Sequence, residues 1–353
     1  VAVTLREVAE RAGVSTRTVS NVVNDYEHVS GAMRAKVQQA IDELGYRPNM
    51  LARGLRQGRT GIITLLVPQI TVPYFGELAH EIVVQATALG FTVMIDETEG
   101  DPERELALLR VASGSSWVDG VLLSSLGLEE RVLTALTPAV PVVLLGERTA
   151  DGVLDHVGID NVRAATDAVQ FLLDSGRRRI AAIGGDGAGS DHTSRPRLAG
   201  YHAALRGAGL PVDPQLYAPT PDYSRTSGMD AVARLFSHAE RPDALFCFSD
   251  DLATGALRQL HNEGLRVPVD VSVVGFDDVE GSRFTIPSLT SVSPDKVDLA
   301  RSALAMLIDR IGGSTTPARD VRVGHELAMR ESAAATAAPA DAHADSTTSG
   351  VNG

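Results

Sequence analysis

Residues 4–24, TLREVAERAGVSTRTVSNVVN, read as two short helices joined by a tight turn. Thr4 and Glu7 have the spacing of a capping box, and Leu5, Val8 and Ala9 fall on one apolar face. Gly13 breaks the first helix. Ser15 is a good N-cap for a second whose inner face is Val19, Val22 and Val23. The turn between them is only about four residues, as in a helix-turn-helix. A third helix follows Ser30 and runs to about Leu44 with Val37, Ile41 and Leu44 inward, and Gly45 and Pro48 end it. Residues 1–48 therefore form an all-α head.

Outward from the head, residues 49–60, NMLARGLRQGRT, are basic and carry apolar Met50, Leu51 and Leu55 beside Gly54 and Gly58. Isolated helices shorter than about 12 residues are marginal, and glycine weakens them further, so this segment is expected to be a hinge that becomes helical on contact. Charge divides at the same place. Residues 1–60 hold nine Arg/Lys against six Asp/Glu, net +3, while the remainder holds 23 against 39, net −16. Nucleic acid would be repelled by the body, so phosphate contacts belong to the head.

From Gly61 onward, short β-rich apolar runs alternate with helical patterns: Ile62 to Val67, Phe91 to Ile95, Val118 to Leu123, Val142 to Leu145, Arg179 to Ile183, Ala244 to Phe248 and Val271 to Gly275. This is the signature of parallel sheets with crossover helices. The pattern restarts after Asp160, so two doubly wound lobes are expected rather than one sheet. Residues 333–353, rich in Ala, Thr and Ser, lack periodicity and are expected to be disordered. The 353 residues, 44% hydrophobic and 22% charged, exclude disorder throughout. No apolar run approaches the roughly 18 residues of a membrane span, and the start lacks a signal-peptide core, so a cytoplasmic protein without membrane contact is expected. Cys247 is the single cysteine, which excludes an internal disulfide and the usual zinc clusters. No metal or cofactor is expected.

TLREVAERAGVSTRTVSNVVN, followed by HVS at 28–30, LGYRPN at 44–49 and LARGL at 51–55, resembles the DNA-binding head and hinge of the LacI/GalR family of bacterial transcriptional regulators. RLAGY at 197–201, GLRVPVDVSVVGFDD at 264–278, PSLTSV at 287–292 and HELAMRES at 325–332 extend that resemblance through the effector-binding core. The resemblance implies a periplasmic-binding-protein-like core over 61–332, with an N-lobe of about 61–159 plus 291–323 and a C-lobe of about 160–290 plus 324–332. It implies a homodimer on a palindromic operator, acting as a repressor, with a small molecule in the interlobe cleft: a sugar first, a purine second. The tail has no a/d leucines of the kind that join dimers into tetramers.

Residue by residue, the resemblance places Thr16, Arg17 and Asn21 of the second helix on base edges. Arg can donate twice to guanine, Asn can pair with adenine, and the Thr methyl can meet a thymine methyl; the alternative for each is a solvated helix residue. Ser15, Thr18, Asn24, His28 and Ser30 match phosphate-holding positions. Leu55 matches a leucine wedged into the minor groove, unless it packs on the core. Effector contacts map onto Tyr74, Phe75, Arg197, Tyr223, Asp250 and Asp277. Aromatic rings would cover the apolar face of a sugar or purine, and Arg and Asp would supply fixed donors and acceptors. A buried ion pair is the alternative for Arg197 and Asp277, and core packing for the aromatics. Ser249 stands where many relatives have Asn, which leaves the identity of the ligand open.

An enzyme is the main rival class. IGGDGAGSD at 183–191 suggests a phosphate loop, but Gly185 and Gly187 are followed by Ser190, so GxGxxG is not met. Walker A, GxSxG and HExxH are all absent. The pairs Asp250/Asp251 and Asp277/Asp278 would suit a glycosidase, yet an acidic chain contains such pairs by chance. A free sugar-binding protein is disfavoured by the missing export signal. No catalytic residue is expected.

Overall fold

The computed structural model describes residues 3–24, 26, 28–46, 59–114, 117–150, 152–185 and 193–333, in two compact units that divide after Gly61. Most of the expected hinge, Leu55 included, and residues 334–353 lie outside the described residues.

The first unit holds α1 (Leu5–Ala12), α2 (Thr16–Val23) and α3 (Gly31–Leu44). Each begins at a side-chain cap. Thr4 and Glu7 make the reciprocal capping box, Ser15 Oγ accepts from the Thr18 amide, and Ser30 Oγ accepts from the Met33 amide. Gly13 ends α1 at φ 59°, a left-handed conformation that a side chain would strain. The three helices enclose a small core centred on Val8, Val19 and Val37, all fully buried.

The second unit contains two six-stranded sheets. The first has the order β11-β5-β4-β3-β1-β2 and is parallel throughout. Its strands are β1 (Ile62–Val67), β2 (Thr92–Glu97), β3 (Gly120–Ser124), β4 (Val142–Leu145), β5 (Asp155–Ile159) and β11 (Asp320–Val323), with helices α4 (Pro73–Ala88), α5 (Pro102–Gly114), α6 (Glu130–Thr134) and α11 (Lys296–Ile311). The second has the order β12-β10-β9-β8-β6-β7 and is parallel except for the β10–β12 pair. It comprises β6 (Ile180–Ile183), β7 (Tyr217–Ala218), β8 (Ala244–Cys247), β9 (Ser272–Phe276), β10 (Thr290–Pro294) and β12 (His325–Ala328), with α7 (Asn161–Asp174), α8 (Ser194–Gly207), α9 (Arg225–Phe236) and α10 (Asp250–Asn262). Central strands such as β3, β4, β6 and β8 are buried along their whole length, as parallel strands covered by helices on both faces should be.

The chain crosses between lobes near Asp160, Asp295 and Gly324. Asp160 and Asp295 cap the helices that follow, accepting from the amides of Arg163 and Asp298. Two expected boundaries are corrected. Ser291–Pro294 belong to the second lobe, because β10 pairs with β9; Thr290 and Ser291 are fully buried there, so the strand does not show as an apolar run. Ala333 is also ordered and fully buried, because Ser332 ties its turn to the sheet by donating to the Val273 carbonyl (2.6 Å) and accepting from the Thr290 amide (2.8 Å).

Candidate functional site

In the head, α2 buries Val19 and Val22 and leaves Thr16 and Arg17 exposed, with Asn21 one turn on and half-buried. The three sequence-expected base readers thus share a side of an eight-residue helix. Arg17 makes no ion pair among the described residues, whereas Arg6 pairs with Glu10 (3.2 Å) and Arg11 with Glu43. The residues expected on phosphates stand at helix ends or, for His28, in the turn between α2 and α3. Ser15 and Thr18 hydroxyls lie 2.8 Å apart at the start of α2, and Ser30 starts α3. Asn24 closes α2 by donating to the Ser20 carbonyl (2.7 Å), and His28 packs edge-on against Tyr26. Amide-rich N-termini carry a partial positive charge that suits phosphate.

In the core, the loops after the strands of both sheets face one cleft of about 660 Å³. Pro68 and Gln69 follow β1, Ser125 and Leu126 follow β3, and Glu147 and Arg148 follow β4; Ser249 follows β8 and Asp277 follows β9. Ligand crevices at the carboxyl ends of parallel strands arise in this way. All six sequence-expected contacts, Tyr74, Phe75, Arg197, Tyr223, Asp250 and Asp277, line this cleft.

Arg197, on α8 and only 6% exposed, is its hub. Nε donates to Asn161 Oδ1 (2.9 Å), one terminal nitrogen donates to the Phe248 carbonyl and lies 3.9 Å from Asp277 Oδ1, and the other reaches Glu147 Oε1 at 3.3 Å. The guanidinium plane sits 3.7 Å from the centre of the Phe276 ring. Because Glu147 comes from the first lobe, this arginine bridges the cleft. Glu147 was missed in the sequence; its only signal was a charged residue directly after a buried strand and a glycine. That glycine, Gly146, has φ 94°, so the turn aiming Glu147 favours a residue without a side chain. A second bridge lies beside it: Lys296 donates to Glu77 Oε2 (2.7 Å) and to the Asp278 carbonyl (3.0 Å), and Glu77 Oε1 accepts from the Glu280 amide (2.7 Å).

Asp277 and Asp278 have φ of 109° and 45°, conformations that cost side-chain-bearing residues on the order of 1–3 kcal/mol each. The Asp277 amide donates to Val292 O (2.9 Å), the Asp278 amide to Ser291 Oγ (3.1 Å), and Arg330 holds the Asp278 carboxylate at 2.5 Å. Burial pushes the Asp277 carboxyl well above the usual carboxylate range, against the pull of Arg197. Burial also raises the Tyr74 hydroxyl, assisted by the charges of Glu147 and Asp277. The ring of Tyr74 stands edge-on to Phe75 at 5.3 Å.

Asp250 lines the cleft but is held chiefly by the protein. It is 1% exposed, and its oxygens accept from the Val279 amide (2.9 Å), Ser282 Oγ (2.6 Å) and Ser291 Oγ (2.5 Å). Its carboxylate is engaged by the protein, which makes it a positioning group for the Asp277–Ser282 loop. Burial pushes it up to about 6 against those bonds. Ser249 caps α10, accepting from the Leu252 amide. Among the described residues, no group of three His, Cys, Asp or Glu side chains is arranged to hold a metal, and no helix is long and apolar enough to cross a membrane.

Residues 4–49 match the model for bacterial regulatory proteins of the lacI family, and residues 169–333 match the periplasmic binding protein-like domain. The chain is 36% identical to the ribose operon repressor of Escherichia coli over 94% of its own length and 99% of that repressor. The chain belongs to the LacI family. Solved structures agree. The lac repressor dimer bound to operator and the anti-inducer ONPF is similar at TM-score 0.82 and 28% identity, over 94% of this chain and 99% of that one. The complex of the transcriptional regulator CelR with cellobiose is similar at TM-score 0.70 and 34% identity, with the same coverage. As a LacI-family member, the protein is a DNA-binding transcriptional regulator, and its core is the family's two-lobed α/β fold. The relatives are repressors rather than enzymes.

Proposed function

We propose that the protein is a cytoplasmic repressor that binds a palindromic operator as a homodimer and responds to a sugar in the interlobe cleft. The observation carrying this is Arg197, a buried cation on one lobe that reaches Glu147 on the other within a ligand-sized cavity. A molecule seated there meets both lobes, so it favours one lobe angle over another. Relatives support the ligand class, since the CelR complex holds cellobiose and another relative is a ribose operon repressor.

Thr16, Arg17 and Asn21 read bases, Ser15, Thr18, Asn24, His28 and Ser30 hold phosphates, and Leu55 of the hinge enters the minor groove. Tyr74, Phe75 and Tyr223 cover the ligand, while Arg197 and Asp277 bind its polar groups. Two copies are needed because one short helix makes few base contacts. Apolar side chains left in solvent supply surface for pairing: Leu89, Met94 and Ile95 on the first lobe, and Phe284 and Ile286 on the second. No step of catalysis is assigned.

The experiment is selection of bound DNA from genomic fragments, followed by titration of the selected site with the full chain while sugars are added. A two-fold symmetric site released or tightened by one sugar is the expected result. Binding that ignores sequence, or a monomer holding the site at full affinity, overturns it.

A further inference from the structure

The charged groups around the cleft are lopsided. Among the described residues, six carboxylates line it, those of Glu99, Glu147, Asp222, Asp250, Asp251 and Asp277, against the two guanidinium groups of Arg148 and Arg197. Arg197 is already committed to Asn161, the Phe248 carbonyl, Glu147 and Asp277, and Arg148 donates through one terminal nitrogen to the Leu126 carbonyl at 2.5 Å.

Helix N-termini are the other usual source of anion-binding donors, and two of those at this cleft, at α9 and α10, are capped by side chains. At α10, Ser249 caps the first turn and Asp250 and Asp251 stand inside it. At α9, Ser224 Oγ accepts from the Ser227 amide, and Asp222 accepts from the Ser224 amide (2.9 Å) and the Ser227 hydroxyl (2.5 Å). Those bonds hold the Asp222 carboxyl below its usual range, so it keeps its charge. At α4, the first residue is Pro73, which has no amide hydrogen to give.

We infer that the cleft selects its effector by charge, taking neutral or amine-bearing polyhydroxylated molecules and rejecting phosphorylated or carboxylated ones. This rests on the sugar reading proposed above and narrows it. A hydroxyl can donate to carboxylates such as those of Glu147 and Asp222, and an ammonium gains from several at once. A phosphate or carboxylate brings like charge into a desolvated space where carboxylates outnumber guanidinium groups and Arg197 is engaged by the protein, so repulsion outweighs attraction.

The test uses the full chain in calorimetry and thermal-shift titrations with matched probes: glucose, glucosamine, glucose 6-phosphate and glucuronate, then ribose and ribose 5-phosphate, then cellobiose. Any probe set that binds should do so through its neutral or amine member, the anionic counterpart being weaker by about 100-fold or more. Glu147→Gln and Asp222→Asn, checked for cooperative melting, should each shrink that discrimination by about tenfold. A phosphorylated or carboxylated probe binding as well as its neutral counterpart overturns the inference while leaving the sugar reading intact. Failure of every probe at millimolar concentration, with operator binding retained in the same sample, overturns the sugar reading and the inference with it.

Discussion

The functional side chains of α2 and those of the interlobe cleft are prepared for binding in opposite ways. Thr16 and Arg17 stand in solvent, and Arg17 has no ionic partner among the described residues. Arg197 and Asp250 are buried, Asp277 is half-buried, and all three are already held by protein groups. An exposed set meets its partner by adding contacts, so each loss subtracts from affinity and little else. A buried network meets its partner by exchanging contacts, so each loss also touches the fold and the relation of the lobes. Selectivity for a base sequence and response to a metabolite therefore place different demands on the same chain.

The largest effect should follow from Arg197→Ala. Removing it strands Glu147 and Asp277 in the cleft and empties the space over Phe276, a kind of change that costs about 3–5 kcal/mol. Thermal melts should show a clear loss of stability, and the ligand response should vanish. Operator binding without ligand should survive, since α2 is untouched. A variant that melts like the wild type and still responds would erase the contrast between the two regions.

Asn21→Ala should behave in the other way. It should cost about 1–3 kcal/mol on the selected operator, concentrated at one symmetric base pair, and leave the melting temperature within a degree or two. Anisotropy titrations on a set of single-base operator variants distinguish this from uniform weakening, which would make Asn21 a backbone contact.

A buried carboxyl also leaves a trace in the pH dependence. Burial raises Asp250 to about 6 in the folded protein, above the roughly 4 of an unfolded chain. A carboxyl raised by folding contributes stability in its protonated form; that contribution is complete below about pH 4 and is lost as pH rises through about 6, on the order of 2 kcal/mol in all. Asp250→Asn can accept from the Val279 amide through its oxygen and meet Ser291 through its nitrogen, so it should flatten the difference in melting temperature between pH 5 and pH 7.5. An unchanged slope would mean that Asp250 titrates as it does when unfolded. The head, whose core cluster is apolar apart from the Tyr46 hydroxyl, should show no such step.

Smaller still is Ser15→Ala, which removes the cap of α2 and should cost about 1 kcal/mol of head stability. Circular dichroism of the full chain, read in the lowest-melting transition, checks it. A cost on DNA affinity well beyond that on stability would point to a phosphate contact by the hydroxyl.

The same contrast explains what the sequence could reveal. Caps at Thr4, Ser15 and Ser30 were legible because a cap and its amide are three residues apart. Strands β1, β3, β4, β6 and β8 were legible because burial on both faces makes them continuous apolar runs. Strand β5 was not, since it opens with Asp155 and His156, buried because Arg310, Arg319 and Asp320 satisfy them from the far end of the chain. In the cleft, the expected residues were brought together, but the partners that define their roles were hidden. Glu147 meets Arg197 only through the packing of two lobes, and Asp250 meets Ser282 and Ser291 only through the turn after β9.

The central claim is that cleft and operator are coupled, and reciprocal titration tests it most directly. Operator affinity should be measured by anisotropy with and without a saturating probe sugar, and sugar affinity by calorimetry with and without saturating operator. A coupling of about 1–3 kcal/mol changes each affinity by about 5- to 150-fold, and thermodynamic linkage makes the two factors equal. Equal factors in that range are the expected result. A sugar that binds the cleft tightly while operator affinity stays the same within error would contradict the account.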